Sequence, residues 1–257
     1  MHIDAVLHVS TLYTFALVLA RMSGVFLFLP LPGVSAGPAA SRVVLSLVTT
    51  FALFPRWPDM PAAPANIGQF AGWLLAELGL GLSIGLAVAF IVEVFLMAAQ
   101  LISIQAGFSY ASTVDPTTNA DSVVLVVMAQ LTAGLLFFAT GLDHQVFTIL
   151  ANSLESTAPG VFAPARPAVE ALLMMGGTIF STGLRLVLPI MTLLLLVDLS
   201  LGLLGRLNAQ LQIFSLAIPL KMLGALGLLS SSVLLFPRVF SQLSTVVFGA
   251  LRHLLGN

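Results

Sequence analysis

Long apolar runs alternate along this chain with short stretches rich in proline, glycine and polar residues. Runs of this length with almost no charge are typical of helices buried in a bilayer, and proline and glycine mark the turns between them. The repeated prolines of FPRWPDMPAAPAN, for example, exclude a helix in that stretch. The pattern predicts six apolar helical blocks, at about 10–30, 39–55, 66–106, 122–156, 168–204 and 213–254.

Blocks three to six are much longer than a membrane span requires. About 20 residues cross a bilayer at about 1.5 Å per residue, whereas these blocks approach about 60 Å, which ordinary tilt does not absorb. Two interpretations remain open: each long block is a helical hairpin, or its helix extends far outside the lipid. Glycines in blocks three and five offer break points, and prolines in blocks five and six offer kinks: Gly79, Gly81, Gly85, Gly176, Gly177, Gly183, Pro189 and Pro219.

The composition agrees with a membrane protein. Hydrophobic residues make up 59% of the 257 positions and charged residues only 7%, against about 25% charged in soluble domains. We therefore expect an all-α integral membrane protein, with residues 1–257 forming a single membrane-embedded domain. The net charge of −1 indicates no nucleic-acid surface, and the absence of cysteine excludes disulfides and thiolate chemistry.

Eight ionisable residues lie inside the apolar blocks. Each would cost about 2.5–3.5 kcal/mol or more at the centre of a lipid-facing helix, so their faces should contact protein or water. The residues are compatible with ion pairs between helices (Arg21 or Arg185 with Glu77, Glu93 or Asp198), with a proton or ion relay, and with contacts to a partner subunit. The full set is Arg21, Glu77, Glu93, Asp143, His144, Arg185, Asp198 and Lys221.

Asp143 and His144 form the only pattern that suggests catalysis or metal binding. Neighbouring positions do not face each other on a helix, and no second histidine lies within helical reach. Hydrolase and metalloprotease motifs such as HExxH and GxSxG are missing. We therefore expect no enzyme activity, no metal and no cofactor, and we interpret His144 as a hydrogen-bonded packing residue.

A polar stretch, GFSYASTVDPTTNADS at residues 107–122, interrupts the chain between blocks three and four. Gly107 and the Asp115–Pro116 step end the preceding helix, and Asp121 or Ser122 offers an N-cap to the next. One interpretation is a connector in water outside the membrane, which the residues alone favour. The other is a loop folded back into a channel mouth, because irregular backbone at membrane depth must be buried or line an aqueous cavity.

Four motifs in order resemble one known family. ARMSGVFLFLPLPGVSAGPAASRVVLSL resembles the N-terminal signature of the FliR family of flagellar export-gate proteins, which are related to the T-type subunits of virulence type III secretion. In this signature an arginine, prolines, a glycine–proline turn and a second arginine follow one another. The corresponding residues are Arg21, Pro30, Gly33, Pro38 and Arg42.

The other three motifs cover most of the remaining chain. GFSYASTVDPTTNADS resembles the family's central loop, and TGLDHQVFTILANSLESTAPG resembles the helix that follows it. DLSLGLLGRLNAQLQIFSLAIPLKMLGALGLL resembles the C-terminal block with its arginine, glutamine and Pro-x-Lys. Two departures weaken role assignments locally: Ala209 stands where many members have proline, and Asp143 replaces a small residue or histidine beside His144.

The resemblance implies a structural fold and a function. It implies long helical hairpins, as in a P-type and a Q-type export-gate subunit fused end to end, lifted partly out of the bilayer of the bacterial inner membrane. With separate P- and Q-type subunits and further export-apparatus proteins, the chain would form a pore for unfolded flagellar proteins. The flagellar branch is favoured over the virulence branch by RLNAQLQIFSLAIPLK.

The resemblance also implies a role for the central loop, residues 107–121, as a plug of the closed pore. Carried over residue by residue, the plug would consist of Phe108, Ser109, Tyr110, Ala111, Ser112, Thr113, Val114, Asp115 and Pro116. The alternative function is a secondary transporter of small solutes that uses the intramembrane charges. Such a transporter should contain inverted repeats, and the sequence has no convincing internal repeat.

Overall fold

The structure, a computed structural model, describes residues 9–30, 39–58, 64–108, 124–161, 166–207 and 213–254. These residues form helices and turns, with no strand among them. The α-helices are α1 (Val9–Phe28), α2 (Ala39–Ala52), α3 (Ile67–Ala106), α4 (Val124–Ala139), α5 (Leu142–Ser156), α6 (Arg166–Leu207), α7 (Ile213–Ser232) and α8 (Phe236–Leu254). Short 3₁₀ turns lie at Phe54–Arg56 and Val233–Leu235.

Blocks three and five are single helices, so the hairpin interpretation, with breaks at their glycines, is wrong for these two blocks. α3 has 40 residues and α6 has 42, which correspond to about 60 Å each. A helical glycine costs only about 1 kcal/mol relative to alanine and keeps its hydrogen bonds, so it does not by itself end a helix. For these two blocks the structure supports the other interpretation, a helix that is longer than the bilayer is thick.

Blocks four and six are interrupted. α4 and α5 meet at an angle of 63° at Gly141, whose φ of +69° is in the left-handed region. In block six, the 3₁₀ turn Val233–Leu235 separates α7 from α8. Pro219 lies inside α7 and Pro189 inside α6, and neither ends its helix.

The described part of the chain contains four stretches long and apolar enough to cross a membrane, or five if the bent α4–α5 pair is one span. The four are Val9–Phe28, Ile67–Ala106, Leu173–Arg206 and Ala217–Arg252. The expectation of an all-α integral membrane protein is confirmed. The rest of the chain buries few residues of two of these stretches, Leu173–Arg206 and Ala217–Arg252. Lipid or other proteins must therefore cover their apolar side chains.

Contacts between residues divide the chain into two compact units. The first contains Met1–Ile91, Phe137–Gly176 and Leu243–Asn257, and the second contains Val92–Leu136 and Gly177–Gln242. The single domain expected from the sequence stays a prediction.

In the first unit, α1 packs against α3 at backbone distance. A Cβ added to Gly81 would collide with the carbonyl oxygen of Arg21, and one added to Gly85 would collide with that of Val25. From the other side, a Cβ on Gly24 would lie 2.5 Å from the carbonyl oxygen of Leu78. These glycines therefore allow an approach that any side chain would prevent.

The core of the second unit is built from α3, α4, α6 and α7. Its buried members are Ala98, Ile102, Ala106, Leu125, Val187, Ile190, Leu194 and Ala225. Phe95 contacts Phe236 and Phe240 edge-on or tilted, with ring centroids 5.5 Å and 5.6 Å away. Apolar side chains from all these helices thus enclose the end of α3.

Candidate functional site

Arg21 is the largest fully buried side chain of the described residues, and it lies in the middle of α1. Its Nε donates to Oε2 of Glu77 on α3 at 2.6 Å, and both side chains have no exposed surface. This is one of the interhelical pairs that the sequence left open. A buried charge pair of this kind is tolerated only when its remaining polar atoms also find partners.

The remaining polar atoms of the pair bond to the end of α5 and the turn after it. Arg21 Nη1 donates to the carbonyl oxygen of Ser153 at 2.7 Å, and Nη2 donates to that of Thr157 at 2.9 Å. The backbone N–H of Gly160 donates to Oε1 of Glu77 at 2.9 Å. The Ser153 carbonyl also accepts from the N–H of Thr157 at 3.1 Å. The C-terminal end of a helix carries partial negative charge, so the guanidinium is well placed there.

This arrangement joins three helices through one side chain. No buried side-chain nitrogen or oxygen in the described part of the chain is left without a hydrogen bond. The pair therefore fixes the positions of α1, α3 and the end of α5 relative to one another within the first unit.

A second charged group lies in the second unit. Lys221 Nζ on α7 is 2.8 Å from Oδ1 and 2.9 Å from Oδ2 of Asp198 on α6. The side-chain amide of Gln105, near the end of α3, donates to Oδ2 of Asp198 at 3.1 Å. The Lys221 and Asp198 side chains are 14% and 39% exposed, respectively, so this network is more hydrated than the Arg21 pair.

Gln105 lies two residues before the point where the central loop leaves α3. Gly107 has a φ of +86°, a backbone conformation that suits glycine and ends the helix. The N–H of Phe108 donates to the carbonyl oxygen of Ser103 at 3.0 Å, and the half-buried Phe108 ring packs against the core of the second unit. Ile218 of α7 is the nearest side chain to Gly107.

The first residue of the proposed plug is therefore anchored on the core. The other eight plug residues, Ser109, Tyr110, Ala111, Ser112, Thr113, Val114, Asp115 and Pro116, lie outside the described residues, and their role stays a prediction. On the described side, the loop base is held by one apolar contact and by the three-residue network of Gln105, Asp198 and Lys221.

The remaining sequence-derived charges do not assemble into a site. Glu93, His144 and Arg185 are exposed and Asp143 is half-buried. The His144 side chain is exposed in this chain, and its role as a packing residue stays a prediction. The pair of Arg185 with Asp198 does not form, because Asp198 binds Lys221. Among the described residues, no three His, Cys, Asp or Glu side chains cluster as metal ligands would.

Sequence reasoning missed the backbone half of the Arg21 site. Thr157 contributes a carbonyl oxygen and Gly160 an N–H, so their side-chain chemistry carries little signal. Ser153 contributes its carbonyl oxygen and, at 3.2 Å from Nη1 of Arg21, its hydroxyl. Gln105 was also missed, although it is one of the few polar residues at the end of a long apolar block. A polar residue at such a position is the signal that would have found it.

Comparison with known proteins gives one consistent result. The family described as bacterial export proteins, family 1, matches residues 12–246. The flagellar biosynthetic protein FliR of Escherichia coli (strain K12) is 29% identical over 221 residues, 85% of this chain and 83% of that protein. The FliR proteins of Caulobacter vibrioides and Pectobacterium carotovorum are 28% and 32% identical, covering 86% and 77% of this chain and 88% and 77% of their own lengths.

Proposed function

Because the chain belongs to the family of bacterial export proteins, family 1, we propose that it is a subunit of the flagellar type III protein-export gate. In this proposal it lies in the bacterial inner membrane and helps form a pore for unfolded flagellar proteins. The observation that carries the proposal is the family match over residues 12–246, which takes in every described helix of the chain in whole or in part.

The surface of the second unit supports assembly with other subunits. Leu195, Leu199 and Leu203 of α6 are each more than half exposed although they lie on a helix about 63 Å long. A bilayer core is about 30 Å thick, so lipid alone does not cover such a helix. We propose that P- and Q-type membrane subunits cover the remaining apolar surface.

The loop base supports the plug. Phe108 packs on the core of the second unit, and Gln105 is bonded to Asp198 just before the loop begins. In our proposal, residues 107–121 close the resting pore by packing and shape, and an arriving substrate chain displaces them. Segments held by few contacts open at low free energy, so such a plug needs no bond chemistry.

Co-purification tests the assembly. The full chain, tagged and extracted in mild detergent, should bring down two smaller membrane proteins of the P and Q type in more copies than itself. A chain recovered alone that transports a small solute in vesicles would contradict the export-gate proposal and favour the secondary transporter.

Membrane conductance tests the plug separately. Replacement of residues 108–116 by a Gly/Ser linker of equal length should make the assembled gate leaky to ions and small molecules. The matched control replaces residues 64–66, another described turn that lies outside the Arg21 site, with a Gly/Ser linker of its own length. Unchanged conductance in an intact complex would refute the plug while leaving the subunit assignment standing.

A further inference from the structure

A cavity of about 580 Å³ lies within the second unit. Its walls come from α3, α4, α6, α7 and the Val233–Leu235 turn, and most of the lining is apolar, including Phe95, Ile102, Leu125, Ile190 and Leu226. Cavities of this size and character are typical of sites that bind small apolar ligands. No motif in the sequence indicates this cavity, and the proposed export function does not depend on it.

Among the described residues that line this cavity, Arg185 is the only charged one, so none of them carries a carboxylate. Arg185 forms no hydrogen bond or ion pair with any described side chain. The Arg185 side chain is exposed, so its guanidinium is free to bind an anionic group of a ligand that enters the cavity. A ligand that matches both features is anionic at one end and hydrocarbon over most of its length.

From these features we propose that the cavity binds one anionic phospholipid of the surrounding membrane. Its phosphate would bind the Arg185 guanidinium, and an acyl chain would fill the apolar part. The membrane supplies this ligand, because α3 and α6 are among the helices long enough to cross it. This site is independent of the proposed export function.

Native mass spectrometry of the full chain, titrated with palmitoyl-oleoyl phosphatidylglycerol, tests the site. We expect one tightly bound lipid. Arg185→Gln should weaken its binding about tenfold or more, as expected for a lost charge-assisted hydrogen bond. Arg238→Gln is the matched control, since Arg238 is exposed in the same unit and does not line the cavity. Phosphatidylcholine, which carries no net charge, should bind more weakly than phosphatidylglycerol.

A cavity-filling change tests the apolar part. Ala129→Trp, or the smaller Ala129→Leu if the first variant does not fold, should abolish the bound lipid, because Ala129 is half-buried in the cavity wall on α4. Leu131→Trp, at an exposed position of the same helix outside the lining, should leave binding unchanged. Equal binding by the Ala129 and Leu131 variants, or a cavity occupied by a partner helix in the purified complex, would overturn the proposal.

Discussion

Nε of Arg21 lies 2.6 Å from Oε2 of Glu77 across the interface between α1 and α3, and neither side chain has exposed surface. The same unit also contains an exposed ion pair, Arg56 with Glu155. Its charged atoms are 3.2 Å apart, and its side chains are 50% and 60% exposed. The two pairs have the same chemistry in opposite environments, and this contrast provides a controlled experiment.

Glu77→Gln should strongly destabilise the protein. The variant leaves the Arg21 guanidinium buried without its counter-charge, which costs about 3–5 kcal/mol of unfolding free energy. The measurement is denaturant unfolding in detergent, followed by circular dichroism. Glu155→Gln is the control and should change the unfolding free energy by at most about 1 kcal/mol. Equal effects of the two variants would show that the Arg21 pair does not stabilise the fold.

Gly81→Ala should be destabilising although alanine is the better helix former. The added methyl group collides with the carbonyl oxygen of Arg21, and relief requires α1 and α3 to separate, at about 1–3 kcal/mol. Gly79→Ala, two residues earlier and with open space around its Cβ position, should stabilise by up to about 1 kcal/mol. Thermal unfolding of both variants gives the comparison, and the same sign for both would contradict the close contact.

Phe108→Ala should loosen the loop at its base. Loss of the ring removes the apolar contact with the core of the second unit, so we expect higher resting conductance of the assembled gate in membrane vesicles. Phe180→Ala, at a position that is 60% exposed on α6, controls for the loss of an aromatic ring. If both variants conduct like the parent, Phe108 does not hold the loop in the closed state.

Asp198 and Lys221 should show a measurable but smaller coupling. A double-mutant cycle with Asp198→Asn and Lys221→Gln should give on the order of 1 kcal/mol, since the pair is partly hydrated. Gln105→Leu removes the third member and should lower that coupling, because Gln105 shares Oδ2 of Asp198. A coupling no larger than that of Arg56 with Glu155 would mean that the network does not restrain α6 and α7.

Sequence patterns located the helices well and their continuity poorly. The six apolar blocks coincide with the helices because both follow from hydrophobicity and proline. Gly79, Gly81 and Gly85 offered break points in α3, yet the helix continues through them. Gly81 and Gly85 instead face the backbone of α1. A glycine has the same signature in sequence whether it bends a helix or admits a neighbour, so only the packing distinguishes the two.

The candidate sites were predictable to different degrees. Arg21 and Glu77 were recognisable in the sequence as charges that must be kept away from lipid. Which acidic residue pairs with Arg21 depended on which helices pack together. The bonds from Arg21 to the Ser153 and Thr157 carbonyls depend on where α5 ends, and only the additional bond to the Ser153 hydroxyl involves a side chain. The cavity beside Arg185 is formed by residues of several helices, so it depends on how these helices pack and has no pattern in the sequence.

The hydrogen bonds of Arg21 also impose an order of events during biosynthesis. Its acceptors lie 56, 132 and 136 positions further along the chain. At about 5–20 residues per second, the guanidinium is complete on the order of 7–26 s before the Ser153 carbonyl exists. Until Glu77 is made, Arg21 has no counter-charge, and until Thr157 is made its guanidinium lacks carbonyl partners. More than half of the polypeptide must therefore be synthesised before α1 can take its final position.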